Sequence, residues 1–481
     1  MRSAIPCLVA VFVCMHCTSV FAGDAESVSP EKLAEAIKVM RKISPDKLSR
    51  EEQESKGAEL DEAWQTLQSA GTRGVDALKA EIRRIDEAKD EDHVFKLGAS
   101  AVMWRIAQLA EAQAIGEIWS RTPVHEQYRY VFYTAFDAAR TQDVRALPML
   151  QALLKDNKGV VFLEAHAMEL KWPETVLWLW SAFGPKGLPA LKRTLADSRD
   201  PIEREMALCC IADLLDPSAL PDIRTIARSD AAPVRNRAIR ALGWFGHPAD
   251  YEFLLDGLKS EDPALLHAYE YALFEYGDLR AVSAIIPLLA HRDEKVWHEA
   301  LAVLAHLLSP EAIAAIQQQA RDAKDEERRT ELARALDQLL EDVLKTERSA
   351  WDRKSVPEQR AAIQAVRAAQ RAAFAAPRSG DKTLSRDDLK SAIAEYRKDC
   401  SLTRGAYEWV EPRHIIAIAV PSDIADLQEV RAMLFFRLSD ECLYEVRELD
   451  RLIRWLVRAQ YREDPWETEK VTAVAKAAKP R

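Results

Sequence analysis

Several short clusters in the chain combine residue types able to do chemistry. Cys14-Met15-His16-Cys17 has the two-residue gap of redox and metal motifs. His291-Arg292-Asp293 has the form of a kinase catalytic triplet, and His298-Glu299 begins like a zinc-protease helix. Ser422-Asp423 and Ser439-Asp440 pair a hydroxyl with a carboxylate. Each fails on its surroundings. The first cluster lies in a segment expected to be removed. The triplet has no downstream Asn, and no His follows four residues after His298. The two Ser-Asp pairs each precede a helical stretch and read as caps. No glycine loop for phosphate and no G-x-S-x-G turn is present. Catalytic residues, metal ligands and cofactors are therefore all expected to be none.

A looser constellation recurs. Glu205, Asn236, His267 and His298 form one column; Cys209, Arg240, Tyr271 and Ala302 a second; Ala212, Gly243, Phe274 and Ala305 a third. Within them Asn236, Arg240, His267, Tyr271, Phe274 and His298 make a strip of aromatics and imidazoles where a solvated face would carry Lys and Glu. The strip is either a partner-binding surface or lateral packing between neighbouring helices. His267 and His298 make a poor metal pair: stacked helices sit ~8–10 Å apart and no third ligand is evident.

The elements that must position this strip are read from punctuation. Gly184, Leu215, Gly246, Gly277 and Leu308 are each 31 residues apart, and each is followed by a turn signal: Pro185, Asp216-Pro217, His247-Pro248, Asp278 and Ser309-Pro310. A second series runs half a period out of phase at Asp200-Pro201, Ala232-Pro233, Asp262-Pro263 and Asp293-Glu294. Proline is tolerated at a helix start because its missing N–H would be unpaired there anyway. The unit is helix, turn, helix, turn. Ile211, Leu242, Leu273 and Leu304 align in the second helix, as do Cys210, Ala241, Ala272 and Val303; Ile223, Leu254, Ile285 and Ile316 align in the first. Val234, Ala238, Ala241, Leu242 and Phe245 share one helical face. One hairpin cannot bury both its faces, whereas stacked copies can.

Residues 187–215 (GLPALKRTLADSRDPIEREMALCCIADLL), 219–246 (ALPDIRTIARSDAAPVRNRAIRALGWFG) and 279–308 (LRAVSAIIPLLAHRDEKVWHEALAVLAHLL) resemble the HEAT-repeat superfamily in its short bacterial form. Val234-Arg235 and Ala238 to Leu242 match its D-x-x-V-R turn and A-x-x-A-L helix best, although Ala231 stands in place of the turn Asp. The resemblance covers about residues 184–345, with degenerate copies from about 74. It implies an all-α solenoid of helical hairpins. Such repeats mostly form binding surfaces of many kinds, so it does not name a partner.

Composition agrees. Glycine numbers 15 in 481 residues, about 3% against a usual ~7%, which disfavours sandwiches, barrels and glycine-rich nucleotide folds. A net charge of −10 disfavours broad nucleic-acid binding. At the N-terminus, Arg2, a largely apolar run over residues 4–15 and Val20-Phe21-Ala22 read as a secretory signal cleaved after Ala22. Export to a secreted or periplasmic location leaves four cysteines: Cys209 and Cys210 in the repeat framework, and Cys400 and Cys442, which are either a disulfide or two thiols. No stretch approaches the ~18 apolar residues a membrane span needs.

The expected order is a signal peptide (1–22), an N-terminal helical cap (23–73), the solenoid (74–345), an arginine-bearing helix and linker (346–384), a small helical or α/β module (385–465) and a tail (466–481). Arg360, Arg367 and Arg371 share one face of the linking helix. In the module, Tyr407 to Val410 and His414 to Val420 suggest a hairpin around Glu411-Pro412-Arg413. The expected work is binding a protein or peptide along the concave face. The alternatives are an enzyme or small-ligand domain in 385–465 carried on a solenoid arm, and a purely structural envelope protein.

Overall fold

The computed structural model describes residues 28–43, 50–124, 128–155, 160–163, 168–229 and 232–375, and from the C-terminal region 387, 390–391, 421–424, 426–428, 431, 449–450, 453–454, 456–458 and 460–461. The expected signal segment, Cys400, Cys442 and the expected hairpin around Pro412 lie outside the described residues.

Two compact units are present. Among the described residues the first comprises 28–214 with 428 and 431; the second comprises 215–391 with 421–427 and 449–461. The helices of the first are α1 (Pro30–Lys42), α2 (Arg50–Ser69), α3 (Thr72–Glu87), α4 (His93–Ala107), α5 (Ala112–Arg121), α6 (Tyr128–Arg140), α7 (Leu147–Ala152), α8 (Trp172–Phe183), α9 (Leu188–Asp197) and α10 (Pro201–Leu214). Those of the second are α11 (Leu220–Ser229), α12 (Ala232–Phe245), α13 (Tyr251–Gly257), α14 (Pro263–Tyr276), α15 (Val282–Ile285), α16 (Glu294–Leu307), α17 (Pro310–Asp322), α18 (Glu326–Gln338), α19 (Arg348–Asp352) and α20 (Val356–Ala375). α15 gives way to a 3-10 turn, Ile286–Ala290, at Pro287, which lacks the N–H needed to continue an α-helix.

The first unit also contains a hairpin that the sequence did not announce: β1 (Val160–Leu163) pairs antiparallel with β2 (Met168–Lys171), Val160 opposite Lys171. Four-residue segments this short cannot be told from helix by periodicity, so the helical expectation for this stretch is corrected there.

The expected period is visible in the backbone. Gly184, Leu215, Gly246, Gly277 and Leu308 all have positive φ, between 42° and 77°. At these positions the chain leaves a helix in a conformation that glycine adopts without strain and leucine does not. The following residues cap what comes next. Side chains of Asp216, His247, Asp278 and Ser309 accept from the backbone N–H of Ser218, Ala249, Arg280 and Ala312 at 2.8–3.1 Å. In the half-period series Asp200, Asp262 and Asp293 accept from Ile202, Ala264 and Lys295 N–H at 2.9–3.0 Å. Each cap typically contributes ~1 kcal/mol.

The columns between these turns are the core. Ile211, Leu242, Leu273 and Leu304 are fully buried, and Cys210, Ala241, Ala272, Val303, Ile223, Leu254, Ile285 and Ile316 are at most 1% exposed. Cys209 and Cys210 are buried members of this framework. In the second unit α12, α14 and α16 stack in order, each second helix against the next. Gly243 marks the closest approach: a Cβ there would lie 2.3 Å from the Ala272 carbonyl oxygen, so α12 and α14 meet through backbone.

Candidate functional site

All six residues of the expected strip lie on α12, α14 and α16 and are half-buried. Five of them reach toward the following repeat, and Tyr271 meets Arg240 of the preceding one. Asn236 Nδ2 lies 3.5 Å from the Ala264 carbonyl oxygen. The Arg240 guanidinium sits 5.1 Å over the Tyr271 ring, a cation–π contact. His267 Nδ1 is 3.5 Å from Glu299 Oε2, and His298 Nε2 is 3.0 Å from Glu331 Oε2. Phe274 packs against His306 with ring centroids 4.2 Å apart and the rings tilted. The strip is thus a ladder of contacts between successive second helices, with Tyr271 and Phe274 6.5 Å apart along α14. The two histidines face separate carboxylates rather than each other. Among the described residues no group of three His, Cys, Asp or Glu side chains is placed to hold a metal ion.

Burial sets the charge states of the ladder. It lowers the proton affinity of His267, with Arg240 and Lys295 adding to the effect, so the neutral imidazole is favoured. It raises the Glu299 carboxyl, opposed by Arg240. Tyr271 is raised by burial and then by Glu275.

The column beside the strip was missed from sequence and is the more informative one. One residue on from Ala212, Gly243, Phe274 and Ala305 come Asp213, Trp244, Glu275 and His306. Described residues of the C-terminal region meet Asp213, Trp244 and Glu275. In the first unit, Arg431 bonds Asp213 and donates to Ser181 Oγ at 2.8 Å, while Gln428 donates to the Leu214 carbonyl at the end of α10. In the second unit, Glu275 takes two arginines: Arg454 Nη1 at 2.9 Å and Arg458 Nη2 at 3.3 Å. The Tyr271 hydroxyl donates to the same carboxylate at 3.2 Å. The Arg454 guanidinium lies 4.7 Å over the Trp244 ring, and Tyr461 packs against His247 at 4.6 Å. Leu449, Ile453, Leu456 and Val457 are buried, at the i, i+4, i+7, i+8 spacing of one helical face. The signal that could have found this column was its alternation of acid and aromatic at the repeat period.

A further anomaly lies beneath. The column Leu208, Ile239, Glu270, Leu301 is buried throughout, yet its third member is an acid. Glu270 is 0% exposed, and among the described residues neither carboxyl oxygen has a hydrogen-bond partner. Burial, with Glu299 nearby, pushes its pKa up to about 9, so the side chain is protonated at neutral pH.

With this geometry in place, the family model for HEAT repeats matches residues 188–273 and 252–337. The stretch from α9 to α18 is a run of HEAT-like repeats, and the fold is an all-α solenoid of helical hairpins. No curated protein sequence matches the chain. Among solved structures, human deoxyhypusine hydroxylase in complex with glycerol is similar at 18% identity, covering 64% of this chain and 97% of that one with a TM-score of 0.22. A structure of Kap95p with RanGDP is similar at 11% identity, covering 88% of this chain and 67% of that one with a TM-score of 0.40.

Proposed function

We propose that this repeat scaffold is exported and binds a protein or peptide partner along the face of its second helices, without catalysis of its own. The carrying observation is that this face in the second unit already accepts polypeptide: Trp244 and Glu275 hold Arg454, Glu275 also holds Arg458, and Tyr271 donates to that carboxylate. The neighbouring ladder supplies Arg240, Tyr271 and Phe274, residue types that bury large area while keeping a polar handle. Repeats set such groups side by side, so matching chemistry forms a continuous surface. Export rests on the Arg2, apolar-run and Val20-Phe21-Ala22 order at the N-terminus.

The test is a pull-down from the native extracytoplasmic fraction with mature protein as bait, wild type beside Arg240→Ala/Tyr271→Ala. A partner that binds this face should lose ~1–3 kcal/mol of affinity in the double variant. Equal capture by both baits would move the partner elsewhere. Mass spectrometry of the native protein should find an N-terminus at Gly23; a soluble pool retaining Met1 would oppose export.

A further inference from the structure

We infer that the patch formed by Trp244, Tyr271 and Glu275 recognises an amphipathic helix presenting two arginines one turn apart, and that residues 449–461 are its resident occupant in cis. The inference rests on the proposal that this face binds polypeptide, and it adds the chemistry of what is bound.

Three features specify that chemistry. Glu275 is 12% exposed and offers two oxygens, one to Arg454 and one to Arg458, so a single carboxylate reads two guanidinium groups at i and i+4. Residues so spaced lie on one helical face, so one carboxylate can meet both, the closer contact being that of Arg454. Trp244 adds an aromatic face under the first guanidinium, which selects a planar cation over an ammonium. Tyr271, held from its other side by Arg240, donates its hydroxyl to Glu275 and fixes the carboxylate between the two arginines. The apolar residues Leu449, Ile453, Leu456 and Val457 give the occupant its second face. A partner must therefore repeat this pattern: apolar residues at i, i+4, i+7 and i+8, with arginines at i+5 and i+9.

Tethering explains how such a site stays closed. A segment joined to its own binding face competes at an effective concentration of ~1 mM, so a free helix of equal quality binds the intact chain weakly. Loosening the cis segment should unmask the patch.

The experiment uses the full chain and a fluorescent synthetic peptide of residues 445–461 as probe. Arg454→Ala/Arg458→Ala should bind the peptide at least tenfold more tightly than wild type, and adding Glu275→Gln should remove most of that gain. Circular dichroism establishes that the variants are folded. Arg454→Lys/Arg458→Lys keeps both charges while giving up the forked geometry, and should show a smaller gain; it decides the matter if the alanine pair does not fold. No gain in any folded variant overturns the inference, as does a gain that Glu275→Gln leaves intact, since the arginines would then not be what is read. These outcomes are separate from the pull-down: loss of the external partner in Arg240→Ala/Tyr271→Ala with no peptide gain here would keep the binding face and discard its arginine chemistry.

Discussion

Asp250 and Glu270 are both wholly withdrawn from water in the second unit, and each interrupts a column that is otherwise apolar. Asp250 stands in line with Ala219, Ala281 and Ala312; Glu270 with Leu208, Ile239 and Leu301. The two interruptions are resolved differently. Asp250, at the turn before α13, receives both Nε and Nη2 of Arg224 from α11 at 2.7 and 3.0 Å. A forked cation answers it, one guanidinium nitrogen to each oxygen. Glu270, in the middle of α14, finds no donor among the described residues and answers burial by keeping its proton. A repeat stack accommodates an acid in its core in either way, but only the paired acid ties two elements together.

The largest effect expected from breaking this contrast is at Arg224. Arg224→Ala strands a buried carboxylate, and chemical denaturation should register a loss of ~3–5 kcal/mol. Asp250→Ala should cost less, ~1–2 kcal/mol, since alanine is the ordinary residue of the column and the Arg224 head, 26% exposed, can turn to water. A loss at Asp250→Ala equal to that at Arg224→Ala would show that the pair itself, not the stranded charge, carries the energy.

Glu270 should respond in the opposite sense. Glu270→Leu restores the column residue and should stabilise the protein by ~1–3 kcal/mol near neutral pH, measured by the same unfolding curves. A destabilised leucine variant would mean that the acid has a partner in solution.

The same residue predicts a pH dependence. Its folded pKa of about 9 lies above the ordinary value of 4.5, so between those values the folded chain keeps a proton that the unfolded chain has lost. Stability from this group is therefore full below about pH 4.5 and declines as pH rises toward 9, by at most ~1.4 kcal/mol per unit. The wild-type minus Glu270→Leu difference across pH 5–9 isolates the slope; a flat difference would place the carboxyl in contact with water.

The smallest effect sets the scale for the rest. Lys259 and Asp256 form a 2.7 Å ion pair with both side chains mostly exposed. Removing either should leave the chemical-denaturation midpoint indistinguishable from wild type.

The repeating part of the molecule was legible because burial at a fixed period leaves no freedom. Ile211, Leu242, Leu273 and Leu304 had to face inward once the turns at Leu215, Gly246, Gly277 and Leu308 were placed. The same columns expose Asp250 and Glu270 as exceptions, but periodicity cannot say which exception is paired: Arg224 is 26 residues from Asp250 and belongs to another column. The candidate site was half legible for a similar reason. The strip from Asn236 to His298 follows from the period, and each member meets a neighbouring repeat. Its neighbour Glu275 gains its meaning from Arg454, 179 residues away in a segment without repeats. The β1–β2 hairpin escaped because its strands are too short to establish any period.

The positive-φ turns bear on how such a chain is copied. Three of the five 31-residue positions hold glycine, yet Leu215 and Leu308 hold the same sign of torsion, with side chains 3% and 5% exposed. An L-residue there costs ~1–2 kcal/mol, which apolar burial of a leucine can offset. What a duplicated hairpin must transmit at this point is an angle, not a letter. A daughter copy can lose its glycine wherever a neighbour offers the new side chain a place to pack. Ancestry in this molecule is accordingly written more durably in its torsions than in its alphabet, and two copies can be sisters after their residues have ceased to match.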